Sequence, residues 1–119
     1  MVKKIYHNSK EILLIDYSDC KTEEAMIENL LEAQETIIRD NKEYLQLTNL
    51  SGSYPTFNYM KKAKEIAKNT PKLARRRAIV GIDSPSRKVL LKGYNMIIGG
   101  KGLTPFDSQE EALEWLSAD

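Results

Sequence analysis

The sequence predicts a single α/β domain in which a mixed, mostly parallel sheet of about five strands packs against four helices. Strand-like segments alternate with segments whose apolar residues recur every three or four positions, a pattern typical of parallel sheets with crossover helices. The length of 119 residues suits one domain. No linker or repeat divides residues 1–119. The predicted order of elements is β-β-α-β-α-β-α-β-α.

Two short extended segments at the start of the chain predict a hairpin. Residues 3–8 form the first segment, and residues 8–10 have the composition of a turn. The second segment, residues 11–17, contains four consecutive apolar residues, as expected of a strand that is buried on both faces. We therefore expect an edge strand paired with a central strand.

The next three elements are predicted as helix, strand and helix. A helix over residues 22–41 can be capped by Asp19 or Thr22, and residues 44–50 form a strand. The second helix starts near Pro55 and ends near Asn69. Apolar residues spaced three or four apart are expected to face the core from both helices: Met26, Ile27, Leu30, Leu31, Ile37, Ile38, Phe57, Met60, Ala63, Ile66 and Ala67.

The last four elements follow the same alternation. Residues 77–82 form a strand, Ser84 and Pro85 begin a helix, and Gly99-Gly100 ends it. Residues 103–106 form a short edge strand, and the capping box at residues 108–111 opens a final helix. The residues expected to face the core from these two helices are Val89, Leu90, Tyr94, Ile97, Ile98, Ala112, Leu113 and Leu116.

The composition excludes several classes of protein. A disulfide framework needs more than the single Cys20, and a lone cysteine fits a reducing compartment. No apolar run is long enough for a membrane span, and the first residues do not resemble a signal peptide. The sequence therefore predicts a cytoplasmic protein, and it carries no motif that calls for a metal or a cofactor.

Charge is distributed unevenly along the chain although the net charge is only +1. Residues 61–101 contain twelve lysines and arginines but only two acidic residues. Such a run can form a basic face for an acidic partner, or its charges can be scattered around a solvated surface. The residues predicted for a basic interaction patch are Lys72, Arg75, Arg76, Arg77, Arg87 and Lys88.

Several short segments carry a resemblance to a known fold. They are residues 12–18, 47–52, 78–81, 104–112 and 114–116. In these segments and in its order of elements the chain resembles the SpoIIAA-like fold of STAS domains (sulfate transporter and anti-sigma factor antagonist). It is most similar to small stand-alone bacterial proteins of that fold. The resemblance implies one domain and directs attention to the loop after the middle strand, where anti-sigma factor antagonists present a phosphorylatable serine at a helix N-terminus.

That loop is the predicted binding or modification site. Ser51, Gly52, Ser53 and Thr56 combine a glycine turn with hydroxyl groups beside a helix N-terminus, where amide groups attract anions. A phosphate could also be added to a hydroxyl there. The Asp-Ser-Ser-Gly segment of the antagonists is absent, and residues 53–56 stand in its place. The alternative is that Ser53 or Thr56 only caps the helix.

Together these observations predict a non-enzymatic regulatory or protein-interaction module of STAS-like type. The sequence shows no nucleophile–base pair or ligand cluster that would indicate an enzyme. The expected partner is another protein or a second copy of the chain, whereas nucleic acid and membrane surfaces are not favoured. The alternative is a small-molecule or lipid-binding protein, which needs an apolar pocket of a few hundred Å3. The apolar residues look barely sufficient to fill the core, which argues against such a pocket.

Overall fold

The computed structural model describes residues 1–69, 74–98 and 102–118. The predicted α/β class is confirmed, with five strands and four helices in the predicted order. The elements are β1 (Val2–His7), β2 (Lys10–Asp16), α1 (Glu23–Asp40), β3 (Tyr44–Asn49), α2 (Phe57–Asn69), β4 (Ala74–Val80), α3 (Pro85–Ile98), β5 (Thr104–Phe106) and α4 (Gln109–Ser117).

The five strands form one sheet in the order β1-β2-β3-β4-β5. β1 and β2 are antiparallel, whereas β2, β3, β4 and β5 pair with one another in parallel. Asn8 and Ser9 join the hairpin with positive φ angles of 50° and 67°. Two such residues in a two-residue turn match the right-handed twist of the flanking strands. The predicted hairpin is therefore present, and β2 is an inner strand.

Helices cover the two faces of the sheet unequally. Helices α1, α2 and α3 pack on one face, where Leu13, Ile15 and Ile79 point toward them. Helix α4 packs on the other face, where Ala112 and Leu116 contact the cluster around Leu47 and Ala78. Because side chains alternate along a strand, each inner strand contributes residues to both clusters.

Polar side chains at the predicted positions begin the helices. Thr22 and Ser108 accept hydrogen bonds from the amides of Ala25 and Glu111, both at 3.1 Å. Two further hydroxyl groups do the same for the helices between them: Thr56 accepts from Tyr59 at 3.2 Å and Ser84 accepts from Arg87 at 3.3 Å. These local bonds satisfy amide groups that have no partner within the helix.

Several apolar residues predicted for the core are exposed. Phe57, Val89, Ile38, Ile97, Leu31 and Leu90 are all more than a third exposed. In α3 the residues that face the core are Leu91 and Tyr94, and Val89 lies roughly 200° from Leu91 around the helix. A stripe of apolar residues in sequence is therefore wider than the face that the sheet can cover. The side chain of Ile98 and the predicted helix end at Gly99-Gly100 lie outside the described residues.

β4 differs from its predicted bounds at both ends. It begins at Ala74, before the predicted start at residue 77, and a bulge interrupts its pairing with β3 between Tyr44 and Gln46. It ends at Val80 because Gly81 has a φ of +94°, which leaves the extended conformation. Because the bulge shifts the register of β4 against β3, it decides which face of the sheet each arginine of β4 occupies.

Candidate functional site: a cavity between the sheet and three helices

A cavity of about 340 Å3 lies between the sheet and helices α1, α2 and α3. Most of its wall is apolar, and buried alanines contribute to the helical side: Ala33, Ala63 and Ala67. The expectation that the apolar residues would only just fill the core is therefore wrong. Small side chains at these three positions leave space between the helices and the sheet that larger side chains would occupy.

Two polar residues of β3 line the floor of the cavity. Gln46 and Thr48 are 5% and 8% exposed, and they face the helices while Leu45 and Leu47 face α4. In the described part of the chain neither side chain has a hydrogen-bond partner. Among the described residues, every side-chain nitrogen or oxygen that is fully enclosed has a hydrogen-bond partner. Since Gln46 and Thr48 have none, their polar atoms are not fully enclosed and must face open space. Buried polar groups normally have a hydrogen-bond partner. Here a molecule bound in the cavity can supply that partner.

Arg77 and Tyr94 form a second polar feature of the cavity wall. Arg77 Nη2 donates a hydrogen bond to Tyr94 Oη at 2.6 Å, and the guanidinium carbon lies 5.6 Å from the centre of the tyrosine ring. Arg77 is paired in register with Gln46 of the neighbouring strand. A guanidinium, an amide and a phenol are thus presented to one region of the cavity.

A second arginine, Arg87, lies at the cavity wall and is used to hold backbone. Its Nη1 donates to the carbonyl oxygens of Leu50 and Gly81, both at 2.9 Å, and its Nη2 donates to the carbonyl oxygen of Ser53. Asp83 lies 3.8 Å from Arg87 Nε and is largely exposed. Arg87 therefore ties the loop after β3 to the end of β4.

The aromatic part of the wall is formed by Tyr17 and Tyr59. Their ring centres are 5.3 Å apart and the rings are nearly perpendicular, an edge-to-face arrangement that aromatic pairs favour. Burial raises the pKa of both hydroxyl groups. Both residues therefore remain neutral at physiological pH and add uncharged, mainly apolar surface to the cavity.

The loop predicted as an anion or modification site lies beside this cavity and uses most of its hydroxyl groups internally. Ser53 is fully buried, and its Oγ donates to the Leu50 carbonyl at 2.7 Å. Thr56 caps α2 and also hydrogen-bonds to the carboxylate of Glu23. An acidic side chain thus occupies the N-terminus of α2. Of the predicted residues, Ser51 and Gly52 are exposed, with Gly52 at a φ of +76°.

The arginines and lysines predicted for one basic patch are not on one surface. Arg76 contacts the C-terminal end of α4 on one face of the sheet, whereas Arg77 lines the cavity on the other. Arg87 holds backbone carbonyls at the cavity, whereas Arg75 and Lys88 are exposed. Lys72 lies outside the described residues.

The cavity itself is the feature that sequence reasoning missed. A signal for the cavity was present in β3, which is a buried inner strand of the sheet. In this strand polar Gln46 and Thr48 alternate with leucines. In a strand covered on both faces, polar residues on one face indicate that this face meets something other than a packed apolar core.

Other kinds of site find less support in the described residues. No group of three or more His, Cys, Asp or Glu side chains in residues 1–69, 74–98 and 102–118 could hold a metal ion. None of the helices in that part of the chain combines the length and apolar content needed to cross a bilayer.

Comparison of the chain with protein-family models, with curated proteins and with solved structures found no match.

Proposed function

We propose that this chain is a binding protein that holds a small, largely apolar molecule in the cavity between the sheet and helices α1, α2 and α3. The observation that carries the proposal is the cavity of about 340 Å3, within the range of known small-molecule sites. An apolar wall with a few polar groups is the usual composition of such sites. Gln46 and Thr48, buried without hydrogen-bond partners in the described residues, supply those groups.

Burial of apolar surface supplies the free energy of binding in this proposal. Each Å2 of apolar ligand surface removed from water contributes roughly 25 cal/mol. The paired strands of the sheet and the caps of α1, α2 and α3 order the wall before binding, which reduces the ordering cost.

The proposal is tested by filling the cavity. Straight-chain alcohols from hexanol to dodecanol are neutral probes whose binding can be followed by isothermal titration calorimetry. We expect saturable one-to-one binding to the unmodified chain for at least one alcohol. Ala63→Phe, which places an aromatic ring in the cavity, is expected to weaken that binding by at least about tenfold. The matched control is Lys62→Phe, which adds the same ring at an exposed position of α2.

The single tryptophan, Trp115, provides the folding control because it lies in α4 on the opposite face of the sheet. Equal thermal midpoints by Trp115 fluorescence would show that each variant is folded, and Ala67→Leu serves as a second filling variant. Absence of saturable binding for every alcohol and for decanoate, an anionic probe of similar length, or unchanged binding in both filling variants, would refute the proposal.

A second candidate function is the STAS-like interaction module that the resemblance implies, with a second copy of the chain as partner. Val89 and Met96 favour it, because they are 70% and 76% exposed and lie seven residues apart on one side of α3. Sedimentation velocity at increasing concentration would detect a dimer. We expect Val89→Lys combined with Met96→Lys to abolish it, and a monomer at all concentrations would refute this candidate.

A further inference from the structure

We infer that the molecule bound in the cavity is an amphipathic carboxylate whose charged group is held by Arg77 and Tyr94. This inference rests on the proposed function, since it names the class of ligand for the same cavity. The described residues that line the cavity include two arginines and no aspartate or glutamate. A cavity with a positive wall favours an anion over a neutral or cationic ligand of the same shape.

The two arginines have different roles in this inference. Arg87 donates to three backbone carbonyl groups and thereby fixes the loop after β3. Arg77 lines the floor of the cavity, and the planar geometry of a guanidinium matches that of a carboxylate. Because only one of the two guanidinium groups has this role, we expect a ligand with a single negative charge.

Tyr94 adds a second donor beside Arg77. The Tyr94 oxygen accepts the hydrogen bond from Arg77 at 2.6 Å, which leaves the phenolic proton to be donated to another acceptor. A carboxylate oxygen close to the Arg77 guanidinium is a suitable acceptor. The same hydrogen bond also holds the guanidinium in one orientation, which reduces the ordering cost of binding.

Gln46 extends this polar region along the sheet. It is paired in register with Arg77 on the adjacent strand, so the two backbones are roughly 4.8 Å apart. Its amide is buried without a partner among the described residues and can donate to the second oxygen of a carboxylate. Thr48 follows two residues further along the same face, where it could hold a hydroxyl or ether oxygen of the ligand body.

The test compares two probes of the same chain length, decanoate and 1-decanol, at pH 7. We expect the unmodified chain to bind decanoate about tenfold more tightly than decanol, because hydrogen bonds to a charged group are stronger than those to a hydroxyl. Arg77→Met should weaken the binding of decanoate about tenfold more than the binding of decanol, which removes this preference. Arg75→Met, which removes an exposed positive charge from the same strand, should keep the preference.

Tyr94→Phe is the second variant, in case Arg77→Met does not fold. It keeps the aromatic ring and removes the hydroxyl group, and we expect it to weaken binding of decanoate more than binding of decanol. Equal affinities of the unmodified chain for both probes, or an unchanged preference in the folded variants, would overturn the inference. Either result is compatible with the proposed function if Ala63→Phe still weakens the binding of decanol. Failure of both probes to bind would refute the proposed function itself.

Discussion

The backbone of Gly81 lies against that of Ser51, so that a Cβ atom on Gly81 would be 2.5 Å from the Ser51 amide nitrogen. It would also lie 2.8 Å from the carbonyl carbon of Leu50. Both atoms belong to backbone, so no side-chain rotation can relieve the clash. This close approach joins the end of β4 to the loop after β3, and Arg87 binds carbonyl groups on both sides of it.

Gly81→Ala should therefore destabilise the protein strongly. The substitution combines a backbone clash with a φ of +94°, which side chains rarely tolerate, and we expect the free energy of unfolding to fall by at least about 3 kcal/mol. Gly93→Ala is the matched control, since Gly93 lies inside α3 with no atom near its Cβ position. Alanine there should raise the free energy of unfolding by about 1 kcal/mol. Urea unfolding followed by Trp115 fluorescence measures both values, and equal stabilities of the two variants would contradict this account.

Asp40 should contribute to stability at neutral pH and lose that contribution in acid. The hydrogen bond from Tyr44, followed by those from Lys4 and Arg39, holds the pKa of this carboxyl far below its ordinary value of 3.8. A group with a lowered pKa in the folded state stabilises the protein above its unfolded pKa. That stabilisation is lost as the pH falls through the folded pKa. Asp40→Asn should therefore be less stable than the unmodified chain at pH 6, and the difference should shrink below about pH 4.

Denaturant unfolding at a series of pH values checks the expectation for Asp40. Asp107→Asn removes an exposed carboxylate and measures the effect of changing the net charge alone. A difference between the unmodified chain and Asp40→Asn that is as large at pH 2 as at pH 6 would show that Asp40 acts through something other than its charge.

Arg76 should stabilise the docking of α4. Its Nη1 donates to the carbonyl oxygens of Trp115 and Ala118 at 2.9 and 2.8 Å, and its guanidinium lies 5.7 Å from the centre of the Trp115 ring. Arg76→Met removes these bonds and should cost about 2 kcal/mol of unfolding free energy, with faster hydrogen exchange in α4. Arg75→Met removes an exposed charge one residue away and should change stability by less than about 0.5 kcal/mol.

If both of these variants were equally stable, the contacts of Arg76 with α4 would have no energetic role. The difference between Arg75 and Arg76 also affects how the basic patch predicted from the sequence can be tested. A reversal of charge at Arg75 and Arg76 together would combine a surface effect with loss of structure. Arg75 and Lys88, which are exposed, can therefore test a surface interaction without that complication.

The predicted loop site shows which local features the residue types alone can predict. Glycine and hydroxyl residues beside a helix N-terminus correctly indicated a turn and a cap, and Thr56 provides the cap. The sequence could not reveal that Glu23 of α1 would reach the same helix end, because these residues are 33 positions apart. Nor could it reveal that Ser53 would be buried beneath the loop.

The sequence by itself determined the elements of this protein, their order, and the starts of its helices. Those features depend on interactions between residues a few positions apart: the periodicity of apolar side chains, the caps and the hairpin turn. Tertiary structure alone decided that a cavity exists and that Arg76 and Arg77 face opposite sides of the sheet. Empty space depends on side-chain volumes contributed by several elements at once, and the facing of each arginine depends on the register of β4 against β3 after a bulge.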